Sequence, residues 1–203
     1  MRACHHIITT VLLSALGVKL GLEAHVLPEL HQIDVAGGNL ARVVHDPPLL
    51  KGEENAITLG EHSDFGSVTV LFNELGGLQV RSADMTGWKY VKPQKRMAVV
   101  NLGDAVAKLS NGKLVSGLHR VVAPPGDQAR YSRYSCGYFA RPKGHVLMRP
   151  VVGEVKEDGS PLTADEWIAR RTAFKRTTNF KGKETDLASR GTSAQITTST
   201  FSF

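Results

Sequence analysis

The stretch His62-Ser63-Asp64-Phe65-Gly66-Ser67, together with the histidine of Leu118-His119-Arg120, decides how this chain is interpreted. A histidine and an aspartate two positions apart on an extended strand point to the same face of that strand. One imidazole from a later strand would complete a set of two nitrogens and one carboxylate oxygen around a single point. The pattern therefore predicts a metal centre formed by His62, Asp64 and His119.

This ligand set is typical of the facial triad of non-haem Fe(II) oxygenases, which leaves coordination positions open for other ligands. A His-x-Asp pair alone is common, so a surface pair beside an unrelated buried histidine is the competing interpretation. The segment after His119 argues against that interpretation, because it contains the features of a second binding group.

That second group is an arginine and a serine in the predicted strand Arg133–Phe139. Arg133 and Ser135 share one strand face, since side chains alternate with a period of two. A guanidinium beside a hydroxyl is well suited to hold a carboxylate through charge-assisted hydrogen bonds. Iron ligands followed by such a pair suggest 2-oxoglutarate as co-substrate, with its keto acid on the metal and its far carboxylate on Arg133 and Ser135.

The composition describes an ordinary globular chain with one core, because 203 residues are 41% hydrophobic and 22% charged. The net charge of +6 comes largely from lysines and arginines between residues 170 and 190. We interpret them as the solvated face of a helix and expect no nucleic acid, since no interleaved aromatic residues accompany them. Two distant cysteines predict a cytoplasmic protein, and the lack of a long apolar run predicts that it spans no membrane. We also expect a monomer.

Three parts can be distinguished along the chain: an N-terminal helical segment (1–39), a β-rich core (40–150), and a C-terminal helix with a flexible tail (151–203). Residues 4–30 have helical spacing, and a capping box at Thr163–Glu166 begins the later helix. The final residues 192–203 lack periodicity, so we expect them to be frayed. Between the helical parts, short apolar runs separated by turn residues predict many short strands, which favours a sandwich or barrel. The predicted strands are 40–44, 67–72, 78–81, 88–91, 98–102, 117–122, 133–139 and 146–148.

Several stretches of the chain resemble segments of the isopenicillin N synthase-like family of Fe(II)/2-oxoglutarate-dependent dioxygenases, and of its fungal members in particular. These stretches occur in the same order as in the family. The resemblance covers roughly residues 40–150 and implies a mainly β fold with flanking helices and a double-stranded β-helix (jelly-roll) core. It implies that His62, Asp64 and His119 bind Fe(II), that Arg133 and Ser135 bind 2-oxoglutarate, and that O₂ is consumed. The matching stretches are 62–67, 76–80, Trp88 with Val91 and Pro93, 100–104, 109–112, 116–122 and 133–142.

Within this resemblance, Arg130-Tyr131-Ser132 repeats the arginine–serine pattern, but its strand parity is opposite to that of Arg133. The following residues 138–142 match the family when Arg133 is the binding residue.

Many relatives also have a tyrosine before two prolines, where it helps to contact 2-oxoglutarate. This chain has Asp46 there, so either Asp46 points away or the affinity for the dianionic co-substrate is reduced.

The function implied is oxidation of a small organic molecule, by hydroxylation, desaturation or cyclisation, in secondary metabolism. One alternative keeps the iron but not the co-substrate, as in oxidases that bind a substrate carboxylate with the arginine–serine pair. Another is a truncated, non-catalytic relative that only binds metal, because the chain begins inside a predicted helix and has a shorter N-terminal region than the family usually carries.

Overall fold

The structure is a computed structural model that describes residues 2–49, 56–82, 84–154 and 161–175. Its core is a pair of antiparallel four-stranded sheets, with strand orders β1-β8-β3-β6 and β2-β7-β4-β5. This pairing is that of a jelly roll, in which two sheets enclose the interior, and it confirms the predicted fold class. The strands are β1 Leu40–Asp46, β2 Ile57–His62, β3 Val68–Asn73, β4 Leu78–Arg81, β5 Trp88–Tyr90, β6 Val99–Leu102, β7 His119–Val122 and β8 Arg133–Ala140.

The N-terminal helices cover one side of the first sheet. Their buried residues Ile8, Leu13 and Leu27 form a hydrophobic cluster with Val68, Val70, Tyr138 and Ala140 of the strands beneath them. The elements are α1 Arg2–Ile7, a π-helical stretch Ile8–Leu13, α2 Ser14–Lys19 and α3 Val26–Glu29. The helical stretch predicted for residues 4–30 breaks at Gly21, which takes a left-handed conformation (φ 81°) just after α2.

Two buried histidines join these helices to the sheet. His31 Nδ1 lies 2.7 Å from the Leu27 carbonyl oxygen, and His31 Nε2 lies 2.7 Å from the Ser67 hydroxyl. His5 Nε2 lies 2.6 Å from the His31 carbonyl oxygen, and its Nδ1 lies 2.9 Å from the Tyr138 hydroxyl. A carbonyl can only accept, so His31 carries its proton on Nδ1 and His5 on Nε2. Both rings therefore have structural roles.

Three local predictions differ from the structure. The strand β2 was not among the predicted strands, and the segment 146–148 forms no strand but an isolated bridge from Leu147 to Thr163. The helix α4 Asp104–Leu109, which was not predicted, begins directly after Gly103. A short 3₁₀ helix, Gly126–Arg130, precedes β8.

The C-terminal helix α5 Ala164–Lys175 begins at the predicted capping box. The Thr163 amide donates to the Glu166 carboxylate (2.8 Å), and the Glu166 amide donates to the Thr163 hydroxyl (3.3 Å). Arg171, which the charge pattern placed on a solvated face, is instead fully buried, because it pairs with Asp104. The remaining basic positions beyond residue 175, and the segment 192–203, lie outside the described residues.

No helix among the described residues is long and apolar enough to cross a membrane.

Candidate metal centre and carboxylate-binding site

Two histidines meet across neighbouring strands of the second sheet. His62, the last residue of β2, pairs directly with His119, the first residue of β7, and their ring centroids are 4.2 Å apart. The Nδ1 atom of His62 lies 2.8 Å from the Gly60 carbonyl oxygen, and that of His119 lies 3.1 Å from the Gly117 carbonyl oxygen. Each Nδ1 therefore donates its proton to a carbonyl, so Nε2 is the atom of each neutral ring that carries the lone pair a metal binds.

Asp64 joins the two histidines from the loop that follows β2, not from the strand itself, so the simple strand-face argument was wrong about its position. Its Oδ2 accepts hydrogen bonds from the Thr69 hydroxyl (2.6 Å) and from the Asn101 amide (2.8 Å). Its Oδ1 faces His119 Nε2 at 3.8 Å. The two neutral donors fix the carboxylate through one oxygen, so that the other oxygen is directed to the histidines.

The pKa of Asp64 is lowered, although burial acts to raise it. His119, the hydrogen bonds from Asn101 and Thr69, and His62 outweigh the effect of burial. The side chain is therefore ionised at neutral pH, as a metal ligand must be. Possible ligand atoms of His62, Asp64 and His119 all lie within 4.8 Å of one another. This donor set fits the two-histidine, one-carboxylate triad of Fe(II).

Asp104 connects the segments that carry these three residues. Its carboxylate accepts hydrogen bonds from Ser63, between His62 and Asp64, and from Ser116, shortly before His119. The Arg171 guanidinium of α5 completes this buried group by donating to the same carboxylate. Asp104 thus fixes both ligand segments relative to each other and to the C-terminal helix.

The backbone at this point packs too closely for a side chain. A Cβ on Gly103 would lie 2.3 Å from the Gly66 carbonyl oxygen and 2.8 Å from that of Asp64. The close approach allows the Asp104 and Ala105 amides at the start of α4 to donate to the carbonyls of Asp64 (2.8 Å) and Gly66 (3.0 Å). The position of Asp64 therefore depends on glycine at residue 103.

Arg133 and Ser135 are both buried on one face of β8, as the period of two predicted. The Arg133 guanidinium donates from Nε to the Gly76 carbonyl oxygen (2.9 Å) and from Nη1 to Asp46 Oδ2 (3.0 Å). Its contact with the Ser135 hydroxyl is long, at 3.5 Å. Asp46 therefore does not point away from the arginine, which excludes the first of the two outcomes expected from the sequence.

The alternative arginine, Arg130, lies at the end of the 3₁₀ helix and is exposed. It contacts Asp127, with 3.5 Å between Nε and Oδ1, on the protein surface. Arg133, in contrast, is the buried arginine with a serine on the same strand face. Its burial supports the choice that the sequence favoured.

Sequence reasoning missed the groups that hold the ligands. Thr69 and Asn101 support Asp64, while Asp104 joins the ligand segments. The stretch 100–104 is among the segments that match the family, but the resemblance assigned none of its residues to the site. Its polar residues beside a buried strand were the signal that could have identified them, because buried polar groups need hydrogen-bond partners.

Comparison with known proteins identifies the family that the chain resembles. Residues 39–142 match the 2OG-Fe(II) oxygenase superfamily. A 2-oxoglutarate-dependent dioxygenase of Aspergillus fumigatus is 35% identical over 162 residues, which are 71% of this chain and 42% of that protein.

The chain is also similar to solved structures of proteins that bind 2-oxoglutarate. A full-length Neurospora crassa protein in complex with alpha-KG (2-oxoglutarate) has a TM-score of 0.71 and 29% identity, covering 84% of this chain and 54% of that chain. JOX2 in complex with 2OG, Fe and JA has a TM-score of 0.71 and 28% identity, covering 89% of this chain and 52% of that chain.

The chain spans about half the length of these proteins. The superfamily match nevertheless covers more than half of the chain, including both candidate binding groups. The sheet order, the paired histidines with Asp64 and the buried Arg133 agree with it. The chain belongs to the 2OG-Fe(II) oxygenase superfamily.

Proposed function

We propose that the protein is an Fe(II)- and 2-oxoglutarate-dependent dioxygenase that oxidises a small organic molecule by hydroxylation, desaturation or cyclisation. The observation that carries the proposal is the arrangement around Asp64. Two neutral donors hold one of its carboxylate oxygens, and the other faces the Nε2 atom of His119. This arrangement provides an anionic ligand beside two neutral imidazoles, as a facial Fe(II) site requires.

His62, Asp64 and His119 would hold the iron, while Arg133 and Ser135 would hold the far carboxylate of 2-oxoglutarate. When bound, Fe(II), 2-oxoglutarate and O₂ supply the oxidising power, and the co-substrate is converted to succinate and CO₂. The protein's own residues orient the ligands. Gly60 and Gly117 fix the histidine tautomers, and the buried face of β8 keeps Arg133 away from bulk water.

The proposal includes the predicted division into a helical segment (1–39), a jelly-roll core (40–150) and a C-terminal part (151–203). It also includes a small-molecule substrate in secondary metabolism, as the resemblance to fungal members of the family implies. A cytoplasmic location, a monomeric state and the absence of a nucleic-acid or membrane partner remain predictions from composition and charge.

The test is an anaerobic titration of 2-oxoglutarate into the Fe(II)-loaded full chain. Chelation of the keto acid to iron produces a visible charge-transfer absorption, and we expect this absorption in the wild type and not in His62→Ala. Admission of O₂ with a library of small organic substrates should then yield succinate. If the full chain binds no Fe(II), or if it binds Fe(II) but gives neither absorption nor succinate, the proposal is wrong.

One observation favours an iron oxidase in which Arg133 binds no ligand carboxylate, either from 2-oxoglutarate or from a substrate. Arg133 already contacts a carboxylate of the chain, that of Asp46, so its capacity to bind a second carboxylate is reduced. The same titration separates the two functions. An oxidase would bind Fe(II) and consume O₂ with substrate, without any change in absorption when 2-oxoglutarate is added.

A further inference from the structure

The Asp46–Arg133 ion pair is set by the sheet and not by a flexible surface side chain. Asp46 is the direct cross-strand partner of Arg133 in the β1–β8 ladder, as Val44 is of Ser135. Directly opposed residues of an antiparallel pair have their side chains on the same face. The Arg133 side chain is 4% exposed and that of Asp46 is 25% exposed. The acid is therefore held against the arginine on the sheet's buried side.

Two of the three guanidinium nitrogens already donate to groups of the chain. Its Nε donates to the Gly76 carbonyl oxygen, and its Nη1 donates to Asp46 at 3.0 Å but reaches the Ser135 hydroxyl only at 3.5 Å. A carboxylate binds arginine best through two parallel N–H donors. Asp46 takes one N–H of the pair that Nη1 and Nη2 offer, so an incoming carboxylate has to share this edge or displace Asp46.

The space beside this pair is small as well. The cavity that Asp46 and Arg133 line together with Pro47, Thr58 and Val122 has a volume of about 10 Å³. A volume of this size holds about one water molecule and no carboxylate group. On this side of the pair, a ligand carboxylate can therefore enter only if the Asp46 side chain moves.

We propose that Asp46 is an internal competitor for Arg133 and a specificity-determining residue of the co-substrate site. The inference rests on the proposed function, because it concerns how a 2-oxo acid binds between the metal centre and Arg133. The far carboxylate of 2-oxoglutarate has to share Arg133 with Asp46 or displace it, and in both cases it lies near a second negative charge in a partly buried place. Affinity for 2-oxoglutarate is lowered, whereas a 2-oxo acid without the far carboxylate is not affected.

The experiment measures binding without turnover, by calorimetry on the full chain loaded with Mn(II) in place of Fe(II). The two probes are 2-oxoglutarate and 2-oxopentanoate, which has the same chain length but ends in a methyl group. The variant is Asp46→Asn, which removes the charge and nearly keeps the shape. The control is Asp127→Asn, which removes an exposed acid that contacts Arg130 on the surface.

In Asp46→Asn we expect the affinity for 2-oxoglutarate to increase at least about tenfold and that for 2-oxopentanoate to stay within about twofold. Asp127→Asn should change neither affinity. The ratio of the two affinities in the wild type tests the inference without any variant. Because Asp46 competes for the arginine, wild-type preference for 2-oxoglutarate over 2-oxopentanoate should be below about tenfold.

Three results would overturn the inference and leave the proposed function in place. They are equal 2-oxoglutarate affinities in the wild type and Asp46→Asn, an equal gain for both 2-oxo acids in the variant, and a wild-type preference above about a hundredfold. Failure of Mn(II)-loaded Asp46→Asn to bind either 2-oxo acid, with its melting temperature unchanged from the wild type, would overturn the inference and the proposed function together.

Discussion

The metal end and the arginine end of the candidate site each contain a carboxylate that the chain itself holds, with opposite consequences. At the metal end, Thr69 and Asn101 are neutral donors, and they hold one oxygen of Asp64 while the other faces His119. At the arginine end, Asp46 is held by Arg133, the group that would bind the ligand. Neutral donors orient the Asp64 carboxylate and leave its negative charge uncompensated for a metal ion. The Asp46 carboxylate, in contrast, neutralises the positive charge of Arg133 that would attract a ligand carboxylate.

The largest expected effect is on stability and concerns the buried ion pair between Asp104 and Arg171, which lies outside the candidate ligand sites. Arg171→Met should lower the free energy of unfolding by about 3–5 kcal/mol, because it leaves a buried carboxylate without its cation. Denaturant unfolding measures the loss. Arg149→Met, at an exposed arginine, should cost less than about 1 kcal/mol. An equal effect of both changes would mean that Asp104 does not fix the ligand segments through Arg171.

A second prediction concerns pH, because His31 connects the N-terminal helices to Ser67 near the metal end. Burial lowers the pKa of His31 to about 4, from an ordinary value of 6.5. The unfolded state therefore binds more protons between these values, and stability present above pH 6.5 is lost as the pH falls towards 4. The loss should reach at most about 3 kcal/mol.

Urea unfolding at several pH values measures this loss. The variant His31→Gln keeps a donor and an acceptor but cannot be protonated, so the slope between pH 6.5 and 4 should become shallower. An unchanged slope in His31→Gln would show that other groups cause the acid sensitivity. Replacement of the exposed His25 by Gln is the matched control.

The third prediction concerns the metal end directly. His119→Ala should weaken Fe(II) or Mn(II) binding more than about a hundredfold, since loss of a ligand exceeds the loss caused by an outer partner. Anaerobic calorimetry measures the affinity. His145→Ala, at an exposed histidine, should leave it unchanged. Metal binding by His119→Ala as tight as in the wild type would remove His119 from the ligand set.

A smaller effect is expected when the neutral support of Asp64 is removed. Asn101→Ala should weaken metal binding about 10- to 100-fold, as is typical for partners that orient a metal ligand. Asn73→Ala removes an amide that donates to the Leu75 carbonyl oxygen instead, and it should not change metal affinity. A loss below about twofold in Asn101→Ala would mean that Thr69 alone orients the carboxylate.

The smallest effect is expected at the arginine end, for Ser135. Its hydroxyl lies 3.5 Å from Arg133 Nη1, so Ser135→Ala should weaken binding of 2-oxoglutarate about fivefold or less. Calorimetry on the Mn(II)-loaded chain measures this change, with Ser14→Ala as the control. A loss above about a hundredfold would give Ser135 a direct role larger than the present contacts indicate.

The sequence predicted the fold because the strands depend on local patterns, and the site residues that it named stay a prediction. Seven of the strands followed from short apolar runs between turn residues. The strand β2 was missed because most of its residues are exposed and its pairing with β7 contains register shifts, so no regular alternation marks it. The helix α4 has only six residues, and its position depends on backbone contacts with residues 64–66 that a local pattern cannot show.

The rest of the site depends on contacts between distant residues. That Asp46 meets Arg133 follows from the β1–β8 register, which pairs positions far apart in sequence. The burial of Arg171 follows from Asp104 in the same way, and the charge pattern alone could not separate this arginine from its solvated neighbours. Sequence periodicity indicates which face a side chain takes, but it does not indicate the partner on the next strand.

The close packing at Gly103 has a consequence for how this scaffold can change. The contacts that place Asp64 beside α4 run between backbone atoms, with the Asp104 and Ala105 amides donating to the carbonyls of Asp64 and Gly66. Backbone atoms are the same whatever side chains surround them. Residues that line the substrate's space can therefore be exchanged without moving the metal ligand, so specificity can evolve separately from the reaction provided that residue 103 remains glycine.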